Sequence, residues 1–364
     1  MDSFERARAS LVINSWLPDE TLFSLASRHH IVSCNCLCSD TCRQLFGRAN
    51  LRLCHDFPSH IDAFVERTTG RFGRADDVIL GHTLLPFYLP LNSGMHAAVA
   101  MRAMRGNRIV SLRYSIGSLL DHVRTCHPLK ACELCMADDI ERHTVAYWHG
   151  AHQVPGVWMC PIHHCALMVS SAAGNRTPYY SWCLPRQDGL RRLTLRTSGS
   201  DYEGCESQER FARAALGLTA LAPNFFFEAE QLGRVYLNRL TALGLRESSG
   251  KPHLADCIGL VLKSAAPLRV LAELAALPGT EDRARAYVSR LCWRPPVRMH
   301  PFLHLFTIVW LFGNWESFWN IVKVEFEEHP VLDNLHALDA SCRDHNVMYR
   351  RALGDLWEQE SRRG

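Results

Sequence analysis

Hydrophobic side chains recur at helical spacing near the start of the chain. Leu25, Ala26 and His29 follow Leu22 at offsets that place all four on one face of a helix. Residues 18–20 are a proline and two acidic residues, which suit the positively polarised N-terminus of a helix. The pattern therefore predicts a helix that begins at residues 18–20 and buries this face.

Two further short helices are predicted in the same part of the chain. One covers residues 39–46, and Gly47 supplies its stop signal. The other begins at residues 58–59, where Ser59 and Asp62 would form a variant capping box, and its apolar stripe comprises Ile61, Phe64 and Val65. Three short helices with tight connections are compatible with a helix-turn-helix unit.

The pattern changes twice along the rest of the chain. From about Gly81 the helical periodicity fails and prolines and glycines become frequent, which is typical of a small irregular region organised by an ion. Helical spacing resumes after about Ser207, and further helical patterns cover 225–245, 254–276, 281–292 and 301–327. We therefore predict a mainly α chain with an N-terminal helix-turn-helix domain (1–80), a central zinc-finger region with irregular connections (81–205) and a C-terminal helical domain (206–364).

Composition narrows the class of protein. The 40 basic and 37 acidic side chains give a net charge of +3, which is too small to indicate nucleic-acid binding by itself. Any basic surface must therefore come from small groups of arginines. The candidate phosphate contacts are Arg102, Arg105, Arg108, Arg113, Arg191, Arg192 and Arg196. The chain opens without an apolar signal region and contains no apolar run long enough to span a bilayer. These features predict a cytoplasmic protein whose 15 cysteines are reduced, buried or metal-bound.

The strongest chemical signal is a pair of metal-ligand motifs. Cys132 and Cys135 are separated by two residues, and the same spacing separates Cys160 from His163. Two intervening residues let one turn place both ligands on one tetrahedral ion, and four protein ligands leave no open position for water or substrate. We therefore predict a structural Zn²⁺ with these four ligands, with His164 or Cys165 as alternatives to His163.

The same residue types also occur elsewhere in the chain, where other sites are alternatives. A second metal site is an alternative for the N-terminal cysteines Cys34, Cys36, Cys38 and Cys42, although helical spacing also makes them small hydrophobes on one face. His143, His149 and His152 lie between the ligand pairs, where packing or hydrogen bonding is the simpler role. The chain lacks the His-x-Glu element of zinc deaminases, a His-Glu-x-x-His motif, a phosphate-binding loop and a Gly-x-Ser-x-Gly elbow. We predict that the protein is not an enzyme.

Several separated blocks of sequence resemble the TniQ/TnsD family of transposon target-selection proteins. They are residues 17–30 (LPDETLFSLASRHH), 82–90 (HTLLPFYLP), 147–157 (YWHGAHQVPGV) between the two ligand pairs, and 300–305 (HPFLHL) with 310–313 (WLFG). The resemblance covers roughly residues 16 to 313. This chain has Glu133 where the family usually has proline and His164 where it usually has glycine.

The resemblance implies an adaptor without catalytic activity that has a helix-turn-helix domain and a zinc finger. Such proteins bind attachment-site DNA or a CRISPR effector with its guide RNA, and they recruit an AAA+ regulator ATPase and a transposase. The competing interpretation is a stand-alone zinc-containing DNA-binding regulator. Because the N-terminal helices are too small to form a core of their own, we expect them to pack on the zinc region or on a second protomer in a homodimer. No membrane partner is expected.

Overall fold

The computed structural model describes residues 13–51, 54–107, 112, 116, 127–170, 181–192, 201–223, 225–293 and 299–328. This part of the chain is mainly helical, as predicted. Its α-helices are α1 (Leu22–Val32), α2 (Cys38–Phe46), α3 (Ile61–Arg67), α4 (Ala75–His82), α5 (Leu85–Tyr88), α6 (Gly94–Arg105), α7 (Glu133–His143), α8 (Gly150–Gln153), α9 (Asp201–Leu221), α10 (Ala229–Ala242), α11 (Leu254–Ala265), α12 (Glu281–Trp293), α13 (Pro301–Phe312) and α14 (Trp315–Glu328). Short 3-10 helices cover Leu89–Leu91, Gln187–Gly189 and Ala272–Leu274.

One small antiparallel sheet accompanies the helices. Its strands are β1 (Lys130–Ala131), β2 (Met168–Ser170) and β3 (Leu190–Arg192), in the order β1-β2-β3. Ala131 lies opposite Met168, and Val169 lies opposite Arg191. Strands this short cannot stabilise a sheet alone, so side chains from neighbouring segments must hold it in place.

The first three predicted helices are present, with differences at their starts. The N-cap of α1 is Thr21, whose hydroxyl accepts a hydrogen bond from the Ser24 N–H at 3.1 Å. Helix α2 ends at Gly47 as predicted, with a left-handed φ of 74°. The predicted capping box at Ser59 is wrong, because the N-cap of α3 is His60, with a φ of 61°. The His60 N–H donates to Gly106 O at 2.7 Å, so a tertiary contact with the end of α6 overrides the local signal.

The region after Gly81 contains more helix than its composition predicts. Helices α5, α6, α7 and α8 all lie there, because several breakers occupy helix ends rather than interiors. Pro86 lies in the first turn of α5. Ser93 caps α6 by accepting the His96 N–H at 3.4 Å.

The predicted pattern over 281–292 is confirmed by α12, whereas the other C-terminal helices are shorter than predicted. The pattern over 254–276 forms α11 only as far as Ala265, since Pro267 follows and cannot continue the hydrogen-bond ladder. The pattern over 301–327 divides into α13 and α14 at Gly313, which adopts a left-handed φ of 82°. Among the described helices, none is long and apolar enough to cross a lipid bilayer.

Helix α9 lies at the centre of the packing, against α5, α13 and α14. The Phe302 ring of α13 contacts Phe87 of α5 and Phe211 of α9, with ring centroids 6.1 and 6.0 Å apart. Nearly all the buried hydrophobic residues between Ile13 and Val322 form one cluster. The division into three domains at 80 and 205 stays a prediction.

Gly217 is required for the approach of α14 to α9. A Cβ atom at this position would lie 2.3 to 2.5 Å from the Trp315 indole. We expect Gly217→Ala to lower the free energy of unfolding by about 1–3 kcal/mol through overpacking. Gly259→Ala in α11 is the matched control, because nothing lies within 4 Å of that position and alanine favours the helix by up to ~1 kcal/mol. Urea unfolding of both variants measures the difference, and equal stability of the two variants would contradict this packing.

Candidate metal centre

The first ligand pair lies where β1 meets α7. Cys132 is the N-cap of α7, and Cys135 lies in the first turn of that helix. The Met136 N–H donates to Cys132 O at 3.0 Å, which closes this turn. The helical turn therefore places both sulfur atoms at the N-terminus of α7, where the helix dipole favours negative charge.

The second pair lies in a tight turn between two antiparallel segments. Met159 pairs with Ala166 in an isolated bridge. Inside this bridge, the Cys160 N–H donates to Cys165 O at 2.8 Å. The His163 N–H donates to the Cys160 sulfur at 3.4 Å. We call residues 158–167 the ligand turn.

The four predicted ligands come together in space. His163 Nδ1 lies 3.6, 3.3 and 3.7 Å from the sulfur atoms of Cys132, Cys135 and Cys160, and the last two sulfur atoms are 3.7 Å apart. All four ligand atoms lie within 4.8 Å of one another. A tetrahedral zinc with bonds of about 2.3 Å to sulfur and about 2.0 Å to nitrogen would separate its ligand atoms by roughly 3.5–3.8 Å. The cluster therefore has a suitable donor set and spacing for a metal ion.

The thiols of this cluster shift one another's pKa. Hydrogen bonds from the Cys135 and Cys160 thiols lower the pKa of Cys132 far below its usual range. The contact with Cys132, together with that of Cys160 and with burial, raises the pKa of Cys135. A divalent cation would allow all three cysteines to be deprotonated together, because it stabilises the three thiolates at once.

The two alternative ligands make other contacts. His164 adopts a left-handed φ of 50°, at the position where glycine is usual in the family, and its Nδ1 lies 2.8 Å from Glu209 Oε1 of α9. The Cys165 sulfur lies 3.5 Å from that of Cys132. Neither residue belongs to the four-residue group whose ligand atoms lie mutually within 4.8 Å. His163 Nε2 lies 3.5 Å from Asp138 Oδ2, in the position of a carboxylate that orients a ligand histidine.

No second group of three or more candidate ligands is present within the described residues. Cys34 and Cys36 are exposed, whereas Cys42 is buried in the hydrophobic core. The hydrogen-bonding role expected between the ligand pairs is confirmed for His149, whose Nε2 lies 2.9 Å from Asp139 Oδ2.

Residues 18–24 form hydrogen bonds with the segment that follows α7. Glu20 pairs with His149 in an antiparallel bridge. The Thr21 N–H donates to Trp148 O at 3.1 Å, and the Trp148 N–H donates to Ser24 Oγ at 3.0 Å. The N-terminal helices therefore pack on the region of the metal centre, which confirms one of the two expected arrangements.

Asp19 also accepts hydrogen bonds from the first residues of α8. The Gly150 N–H donates to Asp19 O at 2.6 Å, and the Ala151 N–H donates to Asp19 Oδ2 at 2.9 Å. Burial raises the pKa of Asp19 to about 6, against the lowering effects of His149 and of the Ala151 hydrogen bond. The backbone start of α8 is thus fixed by a residue far away in the sequence.

Glu20 and His82 bring the second sequence block to the same place. Arg28 donates from Nε and Nη2 to the two Glu20 carboxylate oxygens at 2.7 and 2.6 Å. His82 Nδ1 donates to Glu20 O at 2.6 Å, and its ring stacks on Trp16 with centroids 3.4 Å apart. Blocks that are far apart in the sequence therefore form one interlocked unit around the metal centre.

Comparison with known proteins agrees with this arrangement. Residues 13–167, which contain the interlocked blocks and all four predicted ligands, match the TniQ family. The transposon Tn7 transposition protein TnsD of Escherichia coli is 22% identical to this chain over 161 residues. Residues 13–167 are therefore a TniQ-family region, and this part of the chain is similar to TnsD. The aligned part is 42% of this chain and 31% of TnsD, so the match covers about a third of that relative.

Contacts reach beyond the TniQ match to the C-terminal helices. Glu273 Oε1 lies 2.5 Å from His127 Nδ1, and both side chains are almost fully buried, with 3% and 1% exposed. Glu273 Oε2 accepts hydrogen bonds from Trp158 Nε1 at 2.8 Å and from the Gly156 N–H at 3.1 Å. Neither His127 nor Glu273 belongs to a motif with a recognisable spacing, so sequence analysis did not find this pair.

The predicted phosphate contacts differ in their surroundings. Arg105 forms ion pairs with Asp62 and Asp76 at 2.9 and 3.3 Å. Arg192 pairs with Glu133 at 2.7 Å. Arg102 and Arg191 are exposed, whereas three candidates lie outside the described residues: Arg108, Arg113 and Arg196.

The buried carboxylate of Glu273 should make stability depend on pH. Burial alone would raise its pKa, but the hydrogen bond and charge of His127, with Lys130, lower it from 4.5 to about 2. Since the folded-state pKa is the lower one, the stabilisation is complete above 4.5 and is lost as the pH falls toward 2. We expect the stability difference between wild type and Glu273→Gln to shrink by about 2 kcal/mol between about pH 6 and about pH 3. Chemical unfolding measures it, and a pH-independent difference would contradict the assignment.

The cluster should bind one metal ion per chain. We expect Cys132→Ser and Cys160→Ser to lose the ion and to unfold more easily, because each removes a thiolate from a four-ligand site. Metal analysis of the purified protein measures this. Cys34→Ser is the matched control, since this thiol is exposed and lies outside the cluster. Undiminished metal content in the first two variants would exclude the site.

Proposed function

We propose that this protein is a transposition target-site selector, an adaptor that binds target DNA or an RNA-guided CRISPR effector and recruits an AAA+ regulator ATPase and a transposase. The observation that carries this proposal is the TniQ match over residues 13–167, with a relative described as a transposition protein. In this function the chain has no catalytic activity of its own and acts only through its partners.

The metal centre fits a structural role in such an adaptor. We propose that Cys132, Cys135, Cys160 and His163 hold one Zn²⁺, since three thiols and one imidazole are a common donor set for structural zinc. Four protein ligands leave no open coordination position. The ion would join the start of α7 to the ligand turn and so fix the zinc-finger region.

Helices α1 and α2 support the proposed helix-turn-helix unit. The turn between them is held by a polar network in which Asn35 Nδ2 donates to Thr41 Oγ1 at 2.8 Å and to Gln44 Oε1 at 2.7 Å. His29 Nε2 lies 2.9 Å from the same Gln44 oxygen. This network gives the two helices a fixed geometry, which a recognition surface requires.

Exposed apolar side chains at this turn are candidates for the contact with the ATPase. Ile31 and Leu37 are 52% and 61% exposed, at the end of α1 and just before α2. Because neither contributes to the buried core, polar substitutions there should disturb a partner contact without unfolding the protein.

The double variant Ile31→Asp/Leu37→Asp tests this role. We expect capture of the regulator ATPase and insertion at the selected site to fall at least about tenfold, since interface anchors typically cost more than about 1.4 kcal/mol when removed. Pull-down of the ATPase and sequencing of insertion sites in a reconstituted reaction measure both effects. Leu260→Asp is the matched control, because Leu260 is 42% exposed on α11.

The outcomes of this experiment separate the possible functions. Wild-type protein that binds a specific DNA sequence, but neither captures the ATPase nor changes insertion, would instead be a stand-alone DNA-binding regulator. Strand transfer by the chain alone with Mg²⁺ would contradict the adaptor proposal.

A further inference from the structure

His152 lies against the metal centre although it is outside the predicted ligand set. It belongs to the short helix α8 and is buried. Its Nε2 atom lies 3.6 Å from the Cys160 sulfur and 3.8 Å from the Cys135 sulfur. Its other ring nitrogen, Nδ1, is buried without a hydrogen-bond partner among the described residues.

The charge of a loaded centre makes this contact important. Three thiolates and one divalent cation carry a net charge of −1, and all three cysteines are buried. Buried charge is unfavourable unless hydrogen-bond donors compensate it. The peptide N–H of His163 reaches Cys160 at 3.4 Å, and the Cys165 thiol reaches Cys132 at 3.5 Å. The ring of His152 can reach two sulfur atoms, including that of Cys135.

The surroundings of the ring decide where its proton lies. A neutral imidazole carries one N–H, on either Nδ1 or Nε2. Among the residues that the structure describes, two sulfur atoms face Nε2 of His152 as acceptors, and none supplies a hydrogen-bond partner for Nδ1. We propose that His152 is a neutral Nε2–H donor to the Cys135 and Cys160 thiolates, and thus a positioning residue of the metal centre. This inference rests on the proposed zinc site.

The position of His152 is set by the N-terminal segment. Asp19 binds the backbone of Gly150 and Ala151, the two residues that precede His152. His163 Nδ1 contacts all three cysteine sulfurs, whereas the contacts of His152 Nε2 are with two of them. His152 is therefore a donor from outside the ligand set, and it connects residues 18–24 to the centre through α8.

The test compares zinc affinity in three variants of the full chain. We expect His152→Phe to weaken zinc binding about 10–100-fold, as loss of an outer donor does at other centres. His152→Gln, which keeps an N–H donor, should lose less than about tenfold. His143→Phe is the matched control. It makes the same substitution at a histidine whose ring contacts the Tyr147 ring instead of the cysteine sulfur atoms. Competition with a chromogenic chelator measures the affinities.

Co²⁺ loading distinguishes a donor from a ligand. We expect His152→Phe to shift the sulfur-to-cobalt charge-transfer band while the tetrahedral d–d bands keep their intensity. Collapse of the d–d bands in His152→Gln would make His152 a ligand and overturn the proposal. An affinity and spectrum of His152→Phe equal to those of His143→Phe would overturn it too, whereas wild-type protein that binds no zinc or cobalt would overturn the zinc site itself.

A measurement on the wild-type protein does not depend on how the variants fold. The ¹⁵N chemical shifts of the His152 ring in the zinc-loaded chain distinguish a proton on Nε2 from a proton on Nδ1. We expect the proton on Nε2, and a proton on Nδ1 would overturn the proposal.

Discussion

A buried carboxylate joins the metal region of this protein to its C-terminal helices. Glu273 accepts hydrogen bonds from the indole of Trp158 and the backbone of Gly156, and it pairs with His127. A buried carboxylate that loses its hydrogen-bond donors costs about 1–3 kcal/mol or more, because the group no longer has water to replace them. The 3-10 helix at Ala272–Leu274 and the start of the ligand turn must therefore stay together in the folded state. Phe302 of α13 packs against Phe87 of α5 and Phe211 of α9.

Near the metal centre, side chains make backbone hydrogen bonds of the kind that a neighbouring strand would make. Strand β1 has two residues, and the amide of Gln153 acts as its neighbour: the Lys130 N–H donates to Gln153 Oε1 at 2.9 Å, and Gln153 Nε2 donates to Lys130 O at 2.8 Å. The buried Lys130 ammonium donates to Val154 O and Val157 O at 3.0 and 2.6 Å. Burial lowers the pKa of Lys130 to about 8, although Glu273 opposes this shift. These polar groups explain how so small a sheet can be ordered.

Features that depend on a short, local pattern of residues can be predicted from this sequence, whereas contacts between residues far apart in the chain cannot. The apolar stripe of α1 and the stop of α2 at Gly47 follow from local rules. The spacing of the cysteines predicted a cluster that the structure brings together, because both ligand pairs lie on local turns. The left-handed N-cap of α3 depends on Gly106, a partner distant in sequence, and so has no local signal. His152 and Glu273 are single residues whose importance comes only from tertiary contacts.

The contacts of residues 18–24 indicate that the N-terminal helices and the metal region form one structural unit. Removal of residues 1–70 would leave the Trp148 N–H without its Ser24 acceptor and α8 without Asp19. Buried backbone donors without partners cost about 1–3 kcal/mol each, so the remainder would lose stability near the metal ligands. Loss of activity in such a truncation would therefore say little about the surface of α1 and α2. Substitutions at exposed positions, which leave these hydrogen bonds in place, isolate the role of that surface in partner binding.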